Sequence, residues 1–402
     1  MVSLDEARTY VLAGCRRAEP VEVALRDALG LVLAETVIAT EPIPPFPNTA
    51  MDGYAVRSAD VAGAPVTLKV VGTLAAGAAP DRAVGTSEAI RIMTGAPMPP
   101  GADAIVMVEL TEPDGDGETV VVREAVPAGN HVRAAGEDVR PGQVVFEPGT
   151  VLSAGHLGVL ASLGRVSAAV YPRPRVGVLS TGDELVEGPQ PLQPGQIRDS
   201  NRISLLGLLE RCGCTGVDLG LVRDTEAGIT AAIEHGIATC DALVTSGGVS
   251  MGAFDYVKVV LDRIGDMRWM QVAIKPAKPL AFGTVRGVPV FGLPGNPVSS
   301  MVSFELFARP ALRKMMGVPE ASWVRPAVRA IADERLRRHT DGKIHFNRVV
   351  ADFVADGRCH VRSAGGQGSH QLFAMANASA LAVLPDGDGV DVGADVDVLL
   401  LD

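Results

Sequence analysis

A glycine pair flanked by polar side chains lies in the middle of the chain, directly after a short apolar run that is typical of a buried strand. The segment is Ser246–Asp255, with the sequence SGGVSMGAFD. Gly247 and Gly248 allow the backbone N–H groups of such a turn to approach an anion closely. Ser250 can donate to a phosphate, and Asp255 is placed to hold a metal ion or a hydroxyl group. The segment predicts an anion-binding turn at the carboxyl end of a strand.

Polar residues follow three further apolar runs in the same part of the chain. They lie at Ser180–Glu184, at Arg223–Asp224 and at Leu293–Ser299. In an open α/β sheet the carboxyl ends of the strands face one crevice, so the side chains that follow them converge. The convergence of these segments, more than any one of them alone, indicates a functional site.

Three carboxylates are predicted to meet at this crevice, and they are Glu184, Asp224 and Asp255. They would repel one another unless a cation joined them, and a hard divalent ion such as Mg²⁺, bridging a phosphate, fits these donors. A structural explanation stays open, because Asp224 is also a typical helix N-cap. Pro294 and Pro297 are likewise common at the start of a helix.

Two lysines supply the positive charge that an anionic ligand would need. Lys275 and Lys278 alternate with prolines in KPAKP, and proline disfavours a helix, so we expect an extended loop that presents both ammonium groups. The alternative is that both are solvated surface lysines. Arg348 and Ser369 are weaker candidates, since by themselves they are better explained as ordinary surface residues.

The composition is that of a multidomain globular protein that does not bind nucleic acid. The chain has 402 residues, of which 47% are hydrophobic and 21% charged, and its formal net charge is −11. Binding to nucleic acid without sequence preference needs a basic face, which this balance argues against. Five irregularly spaced cysteines indicate reduced thiols, and the sequence lacks a secretory signal and a long apolar run. We therefore expect a cytoplasmic protein without a membrane partner.

The pattern of apolar residues divides the chain into several regions. It predicts a multidomain α/β and β protein whose centre is a doubly wound, mostly parallel α/β domain, with an N-terminal helical domain, an inserted small β domain and a C-terminal β-barrel-like domain. The boundaries are 1–46 with 134–170 for the discontinuous helical domain, 47–133 for the inserted domain, 171–322 for the α/β domain and 323–402 for the last domain. Residues 3–36 are predicted to form two helices, the second ending near Glu35, and no helix is predicted after Trp323.

Three polar turns in the first half of the chain contain further candidates. Asp52 lies in NTAMDGYAV, Thr94 in RIMTGAP and Asp138 in AGED. Ordinary turn chemistry explains each of them, and their spacing alone reveals no reaction.

Taken together, these segments resemble one family, the molybdopterin molybdenumtransferases, which include bacterial MoeA and the E domain of gephyrin. The resemblance covers nearly the whole chain, and the matching segments run in the order of the family. The segments are Asn48–Val56, Arg91–Pro97, Gly136–Asp138, Ser180–Glu184, Ser246–Asp255, Ile274–Pro279 and Leu293–Ser299.

The resemblance implies an enzyme of molybdenum cofactor biosynthesis. Such enzymes take adenylylated molybdopterin and molybdate, use Mg²⁺, insert molybdenum into the pterin and release AMP. It also implies an elongated homodimer of four-domain subunits, with an active site shared between the α/β domain of one subunit and the β domain of the other. Molybdopterin adenylyltransferase and apo-molybdoenzymes are expected as further partners.

The resemblance also assigns roles to individual residues. Glu184, Asp224 and Asp255 resemble acidic positions that serve Mg²⁺ and the pterin nucleotide, and Asp52, Thr94 and Asp138 resemble polar positions of the first half of the chain. These six are the expected catalytic residues. The expected substrate-binding residues are Ser180, Thr181, Gly247, Gly248, Ser250, Lys275, Lys278, Pro294, Pro297, Ser299, Arg348 and Ser369. The sequence departs from the family at Ala277, where glycine is frequent, and we expect this methyl group to alter the loop only slightly.

Other functions stay open at this point. An adenylyltransferase acting one step earlier has a similar α/β domain but lacks the N-terminal regions found here. A scaffold role, as in gephyrin relatives, would need a partner-binding surface and additional domains. A preference for tungstate over molybdate is not decided by the sequence, because the two ions differ little in size and charge.

Overall fold

The computed structural model describes residues 1–249 and 256–401. The N-terminal part is built mainly from short strands. Its elements are α1 (Leu4–Ala13), β1 (Val21–Ala24), β2 (Val32–Leu33), β3 (Val37–Ile38), β4 (Asn48–Thr49), β5 (Gly53–Val56), α2 (Ser58–Val61), β6 (Val66–Leu74), β7 (Glu88–Ile92), β8 (Ala104–Met107), β9 (Thr111–Pro113), β10 (Thr119–Val122), β11 (Val132–Arg133), β12 (Val144–Phe146), α3 (Ala154–Ser162) and β13 (Ser167–Tyr171).

The predicted inserted β region is confirmed as a sheet. Its strands lie in the order β8-β5-β7-β6-β10-β9, and the turn between β9 and β10 contains the two Asp-Gly pairs seen in the sequence. On either side of it, β3 pairs with β12 and β13 pairs with both β1 and β2. These pairings join the segments before and after the inserted sheet, although the predicted domain boundaries themselves stay a prediction.

The prediction of a second N-terminal helix ending near Glu35 is wrong. Residues 21–33 form β1, a short 3₁₀ turn and β2, and both strands pair with β13. The alternation in Val21–Ala24 fits a strand, and Gly30, with a φ of 75°, turns the chain before β2. The first helix, α1, is confirmed, but it packs into the core of the central region through Ala7 and Val11.

The central region is an α/β unit. Its elements are β14 (Arg175–Thr181), β15 (Leu185–Val186), β16 (Ile197–Arg198), α4 (Asn201–Cys212), β17 (Thr215–Val222), α5 (Glu226–Thr239), β18 (Ala242–Ser246), α6 (Tyr256–Ile264), β19 (Asp266–Gln271), β20 (Ile274–Lys275), β21 (Pro279–Val285), β22 (Val288–Leu293), α7 (Pro297–Ser303) and α8 (Arg309–Met315), with a π-helical segment (Phe304–Ala308) joining the last two.

The predicted doubly wound, mostly parallel sheet is confirmed. The strand order is β17-β14-β18-β22-β21-β19. The first four strands are parallel, β21 is antiparallel to both of its neighbours, and β19 therefore runs in the direction of the first four. Helices α5 and α6 cover one face, while α4, α7 and α8 cover the other together with α1. The carboxyl ends of the parallel strands therefore share one edge, as the sequence predicted.

The C-terminal region contains a closed barrel. Its elements are β23 (Ala327–Ala332), β24 (Leu336–Arg337), β25 (Ile344–Phe353), β26 (Cys359–Ser363), α9 (Leu372–Ala376), β27 (Ala380–Leu384), β28 (Gly389–Val390) and β29 (Asp395–Leu400). Strands β25, β26, β23, β29 and β27 pair in a ring, because β27 also pairs with β25. The barrel was predicted, but the expectation that no helix follows Trp323 is wrong, since α9 does.

One strand pair ties the central unit to the barrel. Strand β20 leaves the central region and runs parallel to β25, with Ile274 opposite Ile344 and Lys275 opposite His345. This pairing places the lysine loop against the barrel wall. In the described part of the chain, no helix combines the length and apolar character needed to cross a membrane.

Candidate functional site

A cavity of about 850 Å³ lies between the lysine loop and the barrel. It is in the size range of cavities that hold nucleotide-sized ligands. The predicted residues that line it come from segments far apart in the sequence and are Lys275, Lys278, Ser299, Arg348 and Ser369. The structure therefore brings these five together, as the family resemblance implied.

Arg348 forms the innermost part of this cavity. It belongs to β25, and only 1% of its surface is exposed. One terminal nitrogen donates to the carbonyl oxygens of Gly366 and Gly368, at 2.8 and 3.1 Å. Burial lowers the pKa of this guanidinium to about 10, so it stays protonated at neutral pH. Its Nε is buried and has no hydrogen-bond partner among the described residues, which is unusual for a buried donor.

The two serines approach the cavity from opposite regions of the chain. Ser299 lies in the first turn of α7 and is 5% exposed. Ser369 belongs to the loop before α9. Its carbonyl oxygen accepts a hydrogen bond from the N–H of Val298 at 3.1 Å, a normal length for a backbone bond. This bond fixes the loop that carries Ser369 to the helix that carries Ser299.

The lysine loop is not helical, as predicted, but the expectation of an extended segment is wrong, because the N–H of Val272 donates to the carbonyl of Lys278 at 2.7 Å and closes a turn. Lys275 ends β20, Lys278 precedes β21, and both side chains are exposed at the cavity. Between them, Ala277 is 2% exposed and has a φ of 77°, a left-handed conformation that favours glycine. The departure from the family at this position therefore falls where a side chain is strained.

The cavity is a basic site in an acidic protein. Among the described residues that line it there are six lysines and arginines and no aspartate or glutamate. The chain as a whole has a net charge of −11. A concentration of cations in one concave site, against the overall charge, is what the binding of a multiply charged anion requires.

The carboxyl edge of the parallel strands forms a second candidate region. Gly247 follows β18 with a φ of 93°, and a Cβ added there would come within 3.2 Å of the carbonyl oxygen of Thr181. Its N–H donates to the carbonyl of Leu293, at the end of β22. The neighbouring Gly248 has a φ of 73°. Gly247 therefore allows the ends of three strands to approach one another, while the predicted approach of both glycines to an anion stays a prediction.

Two predicted binding residues at this edge are buried. Ser180 is 0% exposed and donates to Asp199 at 3.1 Å, and Thr181 is 7% exposed. Asp199 in turn accepts from Nε of Arg202 at 3.0 Å. Asn201 joins the strand ends by donating to the Ser246 hydroxyl at 2.8 Å. These contacts show that Ser180 supports the frame of the site.

The two described carboxylates of the predicted metal set follow neighbouring strands. Thr181 and Val222 are register partners at the ends of β14 and β17, and Glu184 and Asp224 come directly after them. The N–H of Asp224 donates to Asp183 at 3.2 Å. Asp224 is not the cap of α5, because the Thr225 hydroxyl accepts from the N–H of Gly228.

The described residues at this edge do not form a complete metal site. Asp255 and Ser250 lie outside the described residues. Within residues 1–249 and 256–401, no group of three His, Cys, Asp or Glu side chains is arranged to hold a metal ion. Pro294 is buried at the end of β22, and Pro297 begins α7, the structural role that was the alternative for it.

The three predicted residues of the first half of the chain lie apart from the central sheet. Asp52 accepts from both the N–H and the hydroxyl of Thr94, at 2.7 and 2.8 Å. The N–H of Thr94 is the main reason why the pKa of the exposed Asp52 carboxyl is lowered. Asp138 is exposed, and its N–H donates to the carbonyl of Ile43. The Asp52–Thr94 pair is an exposed, ionised group held in a fixed orientation.

Sequence reasoning missed one side of the cavity. Its residues lie between the end of β24 and the start of β25 and are Arg337, Arg338, His339, Lys343 and His345. A signal was present, because residues 335–345 (RLRRHTDGKIH) concentrate basic side chains in an acidic chain.

The fold and this site define a class of protein, a multidomain α/β protein with a cavity lined by basic side chains between its lysine loop and a C-terminal barrel. Three family models match along the chain. They are the MoeA N-terminal region (domain I and II) at residues 2–164, a probable molybdopterin binding domain at 177–314 and the MoeA C-terminal region (domain IV) at 330–401. The chain belongs to the MoeA family of molybdopterin molybdenumtransferases, and the predicted resemblance is confirmed.

Relatives and solved structures agree with this assignment over the full length. A molybdopterin molybdenumtransferase of Haemophilus influenzae is 39% identical over 97% of this chain and 96% of its own length. Molybdopterin molybdenumtransferase 2 of Mycobacterium tuberculosis is 41% identical, over 98% of both chains. The crystal structure of a molybdopterin biosynthesis MoeA protein from Pyrococcus horikoshii has a TM-score of 0.82 and 30% identity and covers 100% of both chains.

Proposed function

We propose that this protein inserts molybdenum from molybdate into adenylylated molybdopterin and releases AMP, as a step of molybdenum cofactor biosynthesis. The observation that carries the proposal is the cavity lined by Lys275, Lys278, Ser299, Arg348 and Ser369. It offers cations and hydroxyl donors, and none of the described residues that line it is a carboxylate, which suits a tetrahedral dianion such as molybdate.

In this proposal, molybdate binds deep in the cavity. Arg348 is held by its bonds to Gly366 and Gly368, so its positive charge has a fixed position at the inner end of the cavity. Ser299 and Ser369 donate from their hydroxyl groups, and the two lysines offset the charge of the ligand. Preorganised donors of this kind stabilise charge in the transition state more effectively than water does.

Adenylylated molybdopterin would extend from this cavity to the carboxyl edge of the parallel strands. In support, Gly247 and Gly248 follow β18 with positive φ angles, which is the kind of glycine turn that α/β proteins place beside phosphates. Mg²⁺ would neutralise the pyrophosphate at this edge, and oxygen ligands from Glu184 and Asp224, with Asp255, fit the preference of that ion. Catalysis would then rest on positioning and charge stabilisation, as in other phosphoryl chemistry.

We further propose a cytoplasmic homodimer in which Asp52, Thr94 and Asp138 of one subunit complete the site of the other. In support, Asp52 and Thr94 are exposed, and they form an oriented pair on the sheet of residues 53–122. All five cysteines are free thiols, as expected for a reducing compartment. Molybdopterin adenylyltransferase would supply the substrate, and apo-molybdoenzymes would receive the product.

The test is the release of AMP by the purified protein supplied with adenylylated molybdopterin and Mg²⁺, with and without molybdate. We expect AMP release that depends on molybdate, together with a product that activates an apo-molybdoenzyme. Binding of the pterin by properly folded protein without any turnover would contradict the proposal and favour a carrier or scaffold role.

A further inference from the structure

The side chains that line the cavity differ in how much of their surface is exposed, and this difference separates an inner group from an outer group of basic residues. Arg348 and Ser299, at the inner end, are 1% and 5% exposed. Arg337 and His339, which line the same cavity, are exposed, and the Lys343 side chain is 20% exposed. The proposed molybdate-binding residues do not include these three, so their presence in the cavity needs its own explanation.

Arg337 differs from its basic neighbours in its ion pairs. Arg335 pairs with Asp391 at 3.3 Å, and Arg338 pairs with Asp341 and Asp386. For the Arg337 side chain, no hydrogen bond or ion pair exists within residues 1–249 and 256–401. An unpaired guanidinium at the mouth of a cavity whose described lining contains no carboxylate leaves its full charge for a ligand.

The segment that carries these outer residues is rigidly held. Arg338, whose side chain is fully buried, donates to the carbonyl oxygens of Lys343 at 2.8 Å and His339 at 3.0 Å, and also to Pro385. Asp341 then accepts from Nζ of Lys343 at 2.7 Å. Arg338 and Asp341 are thus positioning residues, which fix the backbone on both sides of the loop.

Strand pairing fixes Arg337 in the same way. Arg337 lies opposite Gly389 in the β24–β28 pair. A Cβ added to Gly389 would come within 2.1 Å of the carbonyl oxygen of Leu336, so the close approach of the two strands depends on glycine here. The guanidinium therefore projects from a backbone that has little freedom to move.

We propose that Arg337, with His339, forms an outer anion-binding subsite that captures a tetrahedral divalent oxyanion before it reaches Arg348. Lys343 lines the same part of the cavity, but Asp341 already offsets its charge. A dianion that approaches a protein of net charge −11 is repelled over most of the surface. Cations at the mouth of a cavity counter this repulsion and raise the rate of association. The inference rests on the proposed function, because molybdate is the oxyanion that the inner residues would then hold.

The effect of Arg337 should appear in the rate of association and not in the rate of dissociation. Removing one unit charge at roughly 10 Å from a dianion in water slows capture by about fourfold at low ionic strength. Charges at the rim of a binding site typically act on association, and salt removes their effect. Arg337→Ala should therefore bind molybdate about fourfold more slowly in low salt, and Arg337→Glu more slowly still.

The experiment uses radiolabelled molybdate with the full-length protein. Equilibrium dialysis gives Kd, rapid filtration gives the dissociation rate, and their quotient gives the association rate. Arg335→Ala is the matched control, because it removes the same charge two residues away, where Arg335 is paired with Asp391 and does not line the cavity. We expect the control to behave like wild type, and all variants to converge at high salt.

Three results would overturn the inference, and they are distinguishable. An unchanged association rate in Arg337→Ala and Arg337→Glu would exclude the outer subsite while leaving the inner site intact. An equal loss in Arg335→Ala would show only a general effect of net charge. A wild-type protein that binds no molybdate would contradict the proposed function together with this inference.

Discussion

The two candidate regions of this protein carry side chains of opposite charge. The cavity between the lysine loop and the barrel is lined by cations, and no carboxylate lines it among the described residues. The carboxyl edge of the parallel strands instead presents Asp183, Glu184 and Asp224 after neighbouring strands. The cavity can attract an anion by itself, whereas the strand edge needs a cation before it can hold a phosphate.

The difference also concerns how each region is supported. In the cavity, Arg348 is buried and bonded to two carbonyl groups, so its position is fixed within one chain. At the strand edge, the frame is built by Ser180, Asp199 and Arg202, while Glu184 is exposed. We infer that the cavity is preformed for its ligand and that the strand edge depends on an added ion.

The largest effect is expected at the strand edge. Asp224→Ala should lower AMP release by about 100-fold or more, because metal ligands supply several kcal/mol of charge stabilisation. The Mg²⁺ concentration needed for half-maximal rate should rise in Asp224→Asn. Glu226→Gln is the control, since Glu226 is exposed on the next helix and pairs with Arg263. Turnover near the wild-type rate in folded Asp224→Ala would remove this carboxylate from the mechanism.

The next largest effect is expected in the cavity. Arg348→Met should weaken the binding of molybdate by about 100-fold, since a hydrogen bond to a charged group contributes up to about 3 kcal/mol. Loss of the donor to Gly366 and Gly368 should also reduce the free energy of unfolding by about 1–3 kcal/mol. Dialysis and denaturant unfolding measure the two effects. Arg329→Met, which removes an exposed arginine of the barrel, should change neither; unaltered binding in Arg348→Met would contradict the assignment.

A smaller effect concerns the pH dependence of stability, which should have opposite signs for two histidines of the barrel region. Burial lowers the pKa of His345, which lines the cavity, whereas a hydrogen bond to Asp333 raises the pKa of the exposed-face His360. A lowered folded-state pKa means that His345 costs stability as pH falls below its unfolded value of about 6.5. The raised folded-state pKa of His360 means that its protonated form stabilises the fold at low pH. This stabilisation is lost as pH rises through that pKa.

Urea unfolding of His345→Gln and His360→Gln between about pH 5 and 7.5 tests this pair. The first variant should lose less stability than wild type on acidification. The second should lose more, because the favourable protonated form is gone. A shift of the same sign in both variants would be inconsistent with the opposite environments.

The smallest effect is expected at Ala277. Replacement by glycine relieves the left-handed strain but removes a buried methyl group and adds freedom to the unfolded chain, so stability should change by less than about 1 kcal/mol. Ala277→Val should be worse by more than about 1 kcal/mol, because a β-branched residue tolerates a φ of 77° poorly. Thermal unfolding compares the two variants. Equal stability of Ala277→Val and wild type would show that the loop adjusts freely.

Much of the fold could be predicted from the sequence because strands and helices of the central region have strong apolar patterns. The strand ends at Thr181, Val222 and Ser246 were placed within one residue, and the helix start at Pro297 was identified. The N-terminal region was harder, because β1 and β2 are very short and are stabilised by pairing with β13, about 140 residues away. Such a long-range pairing leaves little local pattern.

The site was predictable only in part, for a similar reason. Lys275 and Arg348 were identified, but their proximity depends on the pairing of β20 with β25, which no local motif reveals. Arg337 and Lys343 were missed, since their roles follow from barrel closure and from the contacts of Arg338. The carboxylate set at the strand edge stays a prediction, as Asp255 lies outside the described residues.

The most direct test of the account is to locate molybdenum by anomalous X-ray diffraction from crystals of the protein soaked in molybdate. The account predicts an anomalous peak within hydrogen-bonding reach of Arg348, Ser299 and Ser369, and the loss of this peak in Arg348→Met. A peak at the strand edge with none in the cavity, or no ordered molybdenum despite binding in solution, would contradict the central claim that the cavity is the molybdate site.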